Sequence, residues 1–211
     1  MDKKKEEKVK KLFLVLVSVL LIGTTPVMAA DPGNDKTFGA ELNPFGLLFG
    51  VVQGSLEMKM PIPLVTAKAN VWWGPNIAWV SGVSALDLVA TGRFYYGSLL
   101  PMNLDGPFAF LKKGPLQGLY AGGGLSIHSW AYKSGTYTYS WFSPGIVLET
   151  GVKYFGQEWN WWPKNFYTEV GLQADIALSS TWKDSSGNTY NGTLGYAYNP
   201  IHWVSSVGYA F

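Results

Sequence analysis

Residues 166–178 read FYTEVGLQADIAL, and every second side chain of this stretch falls on the same face of an extended chain. Successive side chains of a β-strand point to opposite faces. The stretch therefore predicts a strand with an apolar face, formed by Thr168, Val170, Leu172, Ala174, Ile176 and Leu178, and a polar face, formed by Glu169, Gly171, Gln173, Asp175 and Ala177.

The same period of two recurs along the chain, in residues 145–155, 85–96 and 119–130 and, over shorter runs, in residues 56–60 and 66–71. We predict eight strands, over residues 37–49, 52–60, 65–74, 84–97, 117–131, 143–156, 166–181 and 201–211. Pro44 and Gly46 interrupt the alternation of the first pair, so residues 37–60 form either two strands or one kinked strand. Counts of up to ten strands stay open.

The N-terminus has the three parts of a secretory signal peptide. Residues 2–11 contain six lysines, residues 12–22 are apolar except for Ser18, and small residues follow up to Ala29 and Ala30. This run is too short for a membrane-spanning helix, which needs about 20 apolar residues. We expect a helical signal peptide over residues 1–30, cleaved after Ala29 or Ala30, followed by one barrel domain over residues 31–211.

Composition excludes several classes of protein. The chain has 211 residues, 14% of them charged and 16% aromatic, with no cysteine. Residues 31–211 carry 10 basic and 11 acidic residues, so the chain lacks the basic excess of a nucleic-acid-binding protein. Disulfides and cysteine-ligated zinc are excluded. No phosphate loop, dinucleotide fingerprint, zinc pair or calcium loop occurs, so we expect no cofactor and no metal.

The end of the chain distinguishes a membrane barrel from a soluble sandwich, because alternation alone fits both. In residues 201–211, Trp203, Ser205, Val207, Tyr209 and Phe211 share one face, and the chain ends on Phe. This ending resembles the assembly signal of bacterial outer-membrane barrels, which implies that Val207, Tyr209 and Phe211 contact the barrel assembly machinery. After residue 30 no apolar run is long enough for a spanning helix, so a membrane domain here has to be a closed barrel.

The pattern as a whole resembles the small outer-membrane barrels typified by OmpX, the OmpA transmembrane domain and OmpW. Residues 43–50 (NPFGLLFG), 92–96 (GRFYY) and 118–125 (GLYAGGGL) look like recurring stretches of a family of small outer-membrane barrel proteins with no established activity. The resemblance implies an eight-stranded antiparallel transmembrane up-and-down β-barrel in a bacterial outer membrane. It implies no functional residue.

The polar faces of the predicted strands converge on the barrel interior. Eight strands enclose a space that side chains just fill, and a charge on the lipid face would be costly. Glu41 belongs to the interior if the alternation continues across Pro44. The predicted polar network of the lumen consists of Glu57, Lys59, Lys68, Asp87, Arg93, His128, Glu149, Lys153, Glu169, Asp175 and His202.

Counting strands back from the C-terminus predicts outer loops at residues 50–51, 75–83, 132–142 and 182–200, and a short helix near residues 108–112. Aromatic side chains are then expected in two interfacial girdles. The outer girdle would contain Trp79, Trp130, Trp141, Trp182 and Trp203. The inner girdle would contain Tyr95, Tyr96, Tyr154, Phe155, Trp159, Trp161, Trp162, Tyr209 and Phe211.

The sequence therefore favours a non-catalytic outer-membrane barrel with a structural or surface-interaction role, a plugged polar interior and a monomeric state. Its expected partners are membrane lipids and lipopolysaccharide. Three alternatives stay open: a channel for small hydrophobic compounds, a soluble periplasmic lipocalin-like binding module, and a lipid-modifying hydrolase.

The hydrolase alternative depends on His128, Ser129 and Glu149, which resemble a lipid A deacylase site in residue type. The match departs from that site in two ways. Ser129 directly follows His128 and so points to the opposite face. A hairpin centred near residue 137 would also place Glu149 about 13 Å from His128, too far for an orienting acid.

Overall fold

The first seven strands pair consecutively in antiparallel fashion, and the last strand pairs with both the first and the seventh. The computed structural model describes residues 36–48, 50–74, 82–101, 106–155, 165–193 and 201–211. Its strands are β1 Phe38–Leu42, β2 Val52–Lys59, β3 Val65–Gly74, β4 Val83–Phe94, β5 Gly118–Ser134, β6 Tyr137–Phe155, β7 Phe166–Ala177, β8 Ser179–Lys183, β9 Thr189–Thr193 and β10 Ile201–Ala210.

Within the described residues, helical structure is limited to short segments. The α-helix α1 spans Pro44–Leu48, and 3₁₀ helices span Gly97–Leu99 and Gly106–Lys112. The last of these covers the place where the sequence predicted a short helix. Among the described residues, no helix is long and apolar enough to cross a membrane.

The barrel is formed by β1 to β7 and β10, and its register can be followed around a full circuit. From Ile201 of β10 the paired residues are Ala174, Leu148, Gly123, Gly92, Ala67, Met58 and Phe38. Phe38 exchanges backbone hydrogen bonds of 2.9 and 3.0 Å with Phe211. The circuit thus returns to β10 ten residues beyond its start, an offset that requires strands tilted by about 40°.

These observations confirm the predicted fold, an eight-stranded antiparallel up-and-down barrel, with β8 and β9 as two additional strands. Burial alternates along β7, where Glu169, Gly171, Gln173 and Asp175 are buried and the residues between them are more exposed. In the eight barrel strands, every charged side chain except Lys133 lies at an inward position.

The first predicted strand is shorter than expected, and residues 37–60 form two strands. β1 ends at Leu42, and α1 follows at once. The Asn43 side chain explains this break, because its Oδ1 accepts hydrogen bonds from the backbone N–H groups of Phe45 (3.0 Å) and Gly46 (3.2 Å). That is the usual contact of a helix N-cap.

The predicted outer loop over residues 132–142 is wrong. β5 and β6 continue to a two-residue turn at residues 135 and 136, where Gly135 has a φ of 59°. Glycine adopts this left-handed conformation without steric cost. Centring the hairpin there also changes the register, so that His128 pairs with Ser143 rather than with residue 145.

A β-bulge separates β7 from β8. Gly145 pairs with Ala177 and Phe142 pairs with Thr181, so one more residue lies on the β7–β8 side than on β6. The bulge reverses the alternation of the chain beyond Leu178. β8 begins within the seventh predicted strand and forms a hairpin with β9, which lies inside the segment predicted as an outer loop, residues 182–200. Residues 194–200 and the predicted signal peptide over residues 1–30 lie outside the described residues.

Candidate functional site in the barrel interior

A cluster of ion pairs fills the half of the barrel that lies toward Phe38 and Phe211. Each member occupies an inward position of its strand and is at most 7% exposed. Burial of isolated charges is costly, so a buried charged group has to be paired and hydrogen-bonded. The cluster contains Glu41 of β1, Glu57 of β2, Lys68 of β3, Arg93 of β4, Glu149 and Lys153 of β6, and Glu169 of β7.

Arg93 contacts three carboxylates. Its Nε and Nη2 donate to the two oxygens of Glu149 at 2.8 Å each, and Nη2 and Nη1 donate to Glu169 at 2.8 and 3.0 Å. Nη1 also donates to Glu57 at 3.0 Å. The guanidinium carbon lies 4.1 Å from the centre of the Tyr120 ring. The planar, five-donor guanidinium suits such multiple contacts better than an ammonium group does.

The two lysines complete the pairing. Lys68 Nζ lies 2.5 Å from Glu41 and 3.1 Å from Glu169. Lys153 Nζ lies 2.6 Å from Glu41 and 3.3 Å from Glu169, and it also pairs with Glu57. The carboxylates of Glu41, Glu57 and Glu169 are close enough together to bind a metal ion, but the two ammonium groups and the Arg93 guanidinium already pair with them.

Three interior tyrosines donate further hydrogen bonds to these carboxylates. Tyr95 donates to Glu57 at 2.8 Å, Tyr120 to Glu169 at 2.8 Å and Tyr167 to Glu41 at 3.1 Å. All three tyrosines are fully buried. Further donors are Thr66 to Glu57, and Ser55 and Ser206 to Glu41. The interior is therefore a connected polar network with hydrogen bonds to each of these carboxylates.

Glycines on neighbouring strands make room for the tyrosine rings. A Cβ atom at Gly208 would lie 2.3 Å from Tyr167 Cζ, and one at Gly39 would lie 2.5 Å from the Tyr167 hydroxyl. Tyr120 lies in the same way against Gly151, where a Cβ atom would be 2.5 Å from its hydroxyl. Gly208 is therefore needed so that the Tyr167 ring can pack against β10.

A second polar layer lies beyond the ion pairs, toward the end of the barrel opposite Phe38 and Phe211. His128 Nδ1 lies 3.0 Å from Asp87, and its Nε2 lies 3.5 Å from Asp175 and 2.9 Å from the Ser126 hydroxyl. Gln173 donates to Asp175 at 3.0 Å. Register explains the arrangement, because Asp87 and His128 are direct cross-strand partners. With a carboxylate at each ring nitrogen, the imidazolium form can donate in both directions.

A small pocket of about 10 Å³ lies between β1, β2, β3 and β10, against Lys68. That volume holds about one water molecule. The Asn70 Oδ1, which has no hydrogen-bond partner within the described residues, is on the cavity wall.

The predicted lumen residues fall into two groups and two exceptions. Glu57, Lys68, Arg93, Glu149, Lys153 and Glu169 meet in the ion-pair cluster, and Asp87, His128 and Asp175 form the second layer. Lys59 occupies an inward position at the end of β2 but is only half-buried. The backbone of His202 pairs with Gln173, but its side chain is outside what the structure describes.

The predicted polar network of the lumen did not include the interior tyrosines. Tyr95 and Phe155 were expected in an interfacial girdle and are instead buried inside the barrel. Trp130 and Trp141 were expected in the outer girdle, yet they occupy inward positions of β5 and β6. Tyr167 lies two positions before Glu169 on the same face, and this spacing was the available signal.

The chain-end residues point outward. Val207 pairs with Leu42 of β1 and Thr168 of β7. The Tyr209 ring lies edge-on to Phe166 at 5.2 Å and stacks with Phe211 at 6.3 Å. These contacts connect the strands that close the barrel.

The fold and the interior define a small closed β-barrel protein with an ion-paired lumen. No protein-family model matches the chain, and no curated protein or solved structure does so either.

Proposed function

We propose that this chain is an integral β-barrel of a bacterial outer membrane, exported by its N-terminal signal peptide. Its role would be structural or surface-interacting and non-catalytic. The apolar outer surface of the barrel supports this proposal most directly. Leu56, Leu125 and Trp203 are 63%, 66% and 75% exposed and point outward. Soluble monomers rarely expose continuous apolar surface of this extent.

The distribution of outward aromatic residues also supports membrane embedding. At the end of the barrel that contains Phe211, the outward positions carry Phe38, Phe94, Tyr154, Phe166, Tyr209 and Phe211. At the opposite end they carry Trp73, Phe142 and Trp203. Between these two belts the outward residues of β4 and β5 are small or aliphatic, including Leu88 and Leu125. Two aromatic belts around an apolar band are typical of transmembrane barrels.

The interior supports a plugged barrel rather than a channel. The ion pairs of Arg93, Lys68 and Lys153 cross the lumen and connect β1, β2, β3, β4, β6 and β7. Solute passage would require these buried pairs to separate without compensation, which is costly. Lipopolysaccharide and membrane lipids would be the partners of the outer surface. Val207, Tyr209 and Phe211 would contact the assembly machinery, and the protein would be a monomer.

The non-catalytic part of the proposal is supported by the surroundings of Ser126. Asp87, His128 and Ser126 have the hydrogen-bond order of a hydrolase triad. However, Ser126 is only 2% exposed, and Asp175 competes for the histidine nitrogen that would accept the serine proton. We expect no labelling by a fluorophosphonate probe. Labelling that disappears in the Ser126→Ala variant would favour the hydrolase alternative.

Cell fractionation combined with gel mobility tests the proposal. Unboiled protein from the outer-membrane fraction should migrate differently from boiled protein, because the closed barrel resists unfolding by detergent. A cysteine introduced at Ser186, in the β8–β9 hairpin, should react with an impermeant maleimide on intact cells. A soluble periplasmic protein would contradict the proposal and favour the lipocalin-like alternative.

A further inference from the structure

Four aromatic residues form one continuous row across β5, β6, β8 and β9. Trp130 pairs with Trp141, Trp141 pairs with Trp182, and Trp182 pairs with Tyr190. Directly paired residues of antiparallel strands point to the same face. At a strand spacing of about 4.8 Å, the row is about 14 Å long. We call these four residues the aromatic row.

The β-bulge after Ala177 brings Trp182 into the row. Without the extra residue, the alternation of β7 would place Trp182 on the outward face, because Asp175 and Ala177 are the inward positions. Bulges commonly re-aim a side chain in this way. The position of Trp182 in the row therefore depends on the β-bulge and would not result from a simple continuation of β7.

The row lies on the lumen side of the sheet, which a surrounding bilayer cannot reach. The Trp141 ring stacks with the ring of His128 at 6.5 Å, and the Trp130 ring stacks with Trp72 at 5.8 Å. Trp182 and Tyr190 remain 52% and 55% exposed. Phe142, the neighbour of Trp141, points to the opposite face and is 46% exposed. Membrane embedding would account for Phe142 but not for the row.

Charges are sorted between the two faces of this sheet. Asp87 and Asp175 lie on the lumen side, where both contact His128. Lys133 and Lys183 occupy strand positions that alternate with Tyr132 and Trp182, and so point to the opposite side. Beyond the ion-pair cluster, the described side chains of the face that carries the row include these two carboxylates, with His128 between them, and no lysine or arginine. Such a face is complementary to a cation.

We propose that the aromatic row binds elongated, planar aromatic cations. The flat rings would stack on Trp182, Tyr190 and Trp141, and the positive charge would gain from cation–π contact and from the field of the carboxylates. The proposal uses only the register and the charges of the described residues. It does not depend on membrane embedding and goes beyond the function proposed above.

Thioflavin T, a planar benzothiazolium cation, is a suitable probe because its fluorescence rises when it binds a rigid surface. The full chain, refolded in a zwitterionic detergent, is titrated with the dye, and the folded state of each variant is checked by its gel mobility. We expect Trp182→Leu and Tyr190→Leu each to weaken binding by about tenfold. The matched control Phe142→Leu, on the opposite face, should change the dissociation constant by less than about twofold.

The unsubstituted protein provides an independent measurement. It should bind thioflavin T more tightly than the anionic dye 1-anilinonaphthalene-8-sulfonate, and added salt should weaken binding of the cation. Equal losses for Trp182→Leu and Phe142→Leu, or tighter binding of the anionic dye at the row, would overturn the proposal. If the protein proves soluble, the titration is performed without detergent, so the two proposals succeed or fail separately.

Discussion

Arg93 and Glu149 meet directly over Gly122 and form two parallel hydrogen bonds of 2.8 Å. The register explains this contact, because Gly122 of β5 is the cross-strand partner of both residues. A Cβ atom at Gly122 would lie 3.0 Å from Glu149 Oε1 and 3.1 Å from Arg93 Cγ. Because Gly122 has no side chain, Arg93 of β4 and Glu149 of β6 can meet across β5, although β4 and β6 are not neighbouring strands.

Replacement of Arg93 should strongly destabilise the barrel. Arg93→Met leaves Glu57, Glu149 and Glu169 buried without their shared cation. Removal of one partner from a buried ion pair costs about 3–5 kcal/mol. We expect a decrease of that size in the free energy of unfolding, measured by urea titration in lipid vesicles with the gel shift as readout.

Two further variants isolate the ion pair as the cause. The exposed Lys183→Met substitution should change stability by less than about 0.5 kcal/mol. The double variant Arg93→Met/Glu149→Gln should lose less than the sum of the single losses, because it removes one of the unpaired buried charges. Strict additivity of the two single effects would show that the hydrogen bonds between Arg93 and Glu149 contribute little.

The faces of the long strands could be predicted from the sequence, but the partners of the side chains could not. Alternation places Glu169 and Arg93 inside the barrel. The contact between these two side chains depends on the register offset of ten residues around the barrel, and the sequence of a single strand does not determine this offset. The bulge after Ala177 could not be predicted either, because the residues around it fit both possible phases of the inward–outward alternation. Tyr95 was misassigned because a ring near a strand end suits a lipid interface as well as a cluster of carboxylates.

Gly124 should not tolerate alanine, whereas Gly92 should. A Cβ atom at Gly124 would lie 1.9 Å from the backbone oxygen of Ala90, but one at Gly92 would have no neighbour within 4 Å. We expect Gly124→Ala to lower the free energy of unfolding by about 1–3 kcal/mol, as overpacking does. Gly92→Ala should change it by less than about 0.5 kcal/mol. Equal unfolding midpoints for the two variants would contradict this packing.

The outward position of Leu125 provides a test of membrane embedding. Leu125 and Ile62 are similarly exposed, at 66% and 60%, but Leu125 lies on β5 and Ile62 in the turn between β2 and β3. In a bilayer, Leu125→Arg should cost about 2–4 kcal/mol and Ile62→Arg about 0–1 kcal/mol. In a soluble barrel both substitutions would be tolerated alike. The measurement is refolding yield and unfolding free energy in vesicles for the two variants.

The order of the β8–β9 hairpin should depend on pH through Asp184. Its carboxylate accepts hydrogen bonds from the Asn188 side chain at 2.8 Å, from the backbone N–H groups of Asn188 and Ser186 at 2.9 Å, and from the Tyr190 hydroxyl at 3.2 Å. These donors, and the Asn188 amide most strongly, lower the pKa of Asp184 below its ordinary value. A group with a lowered pKa stabilises the folded form above its ordinary pKa, and this stabilisation is lost as the pH falls through the lowered pKa.

We therefore expect the backbone amides of Ser186 and Asn188 to be protected from hydrogen exchange near neutral pH and to lose protection in acid. The barrel amides of β7 should stay protected over the same range, because their hydrogen bonds do not involve Asp184. In the Asp184→Asn variant the protection of the loop should be lower and independent of acid. Protection in the native protein that persists well below the ordinary pKa of an aspartate, in parallel with β7, would show that the carboxylate does not hold the hairpin that carries Trp182 and Tyr190.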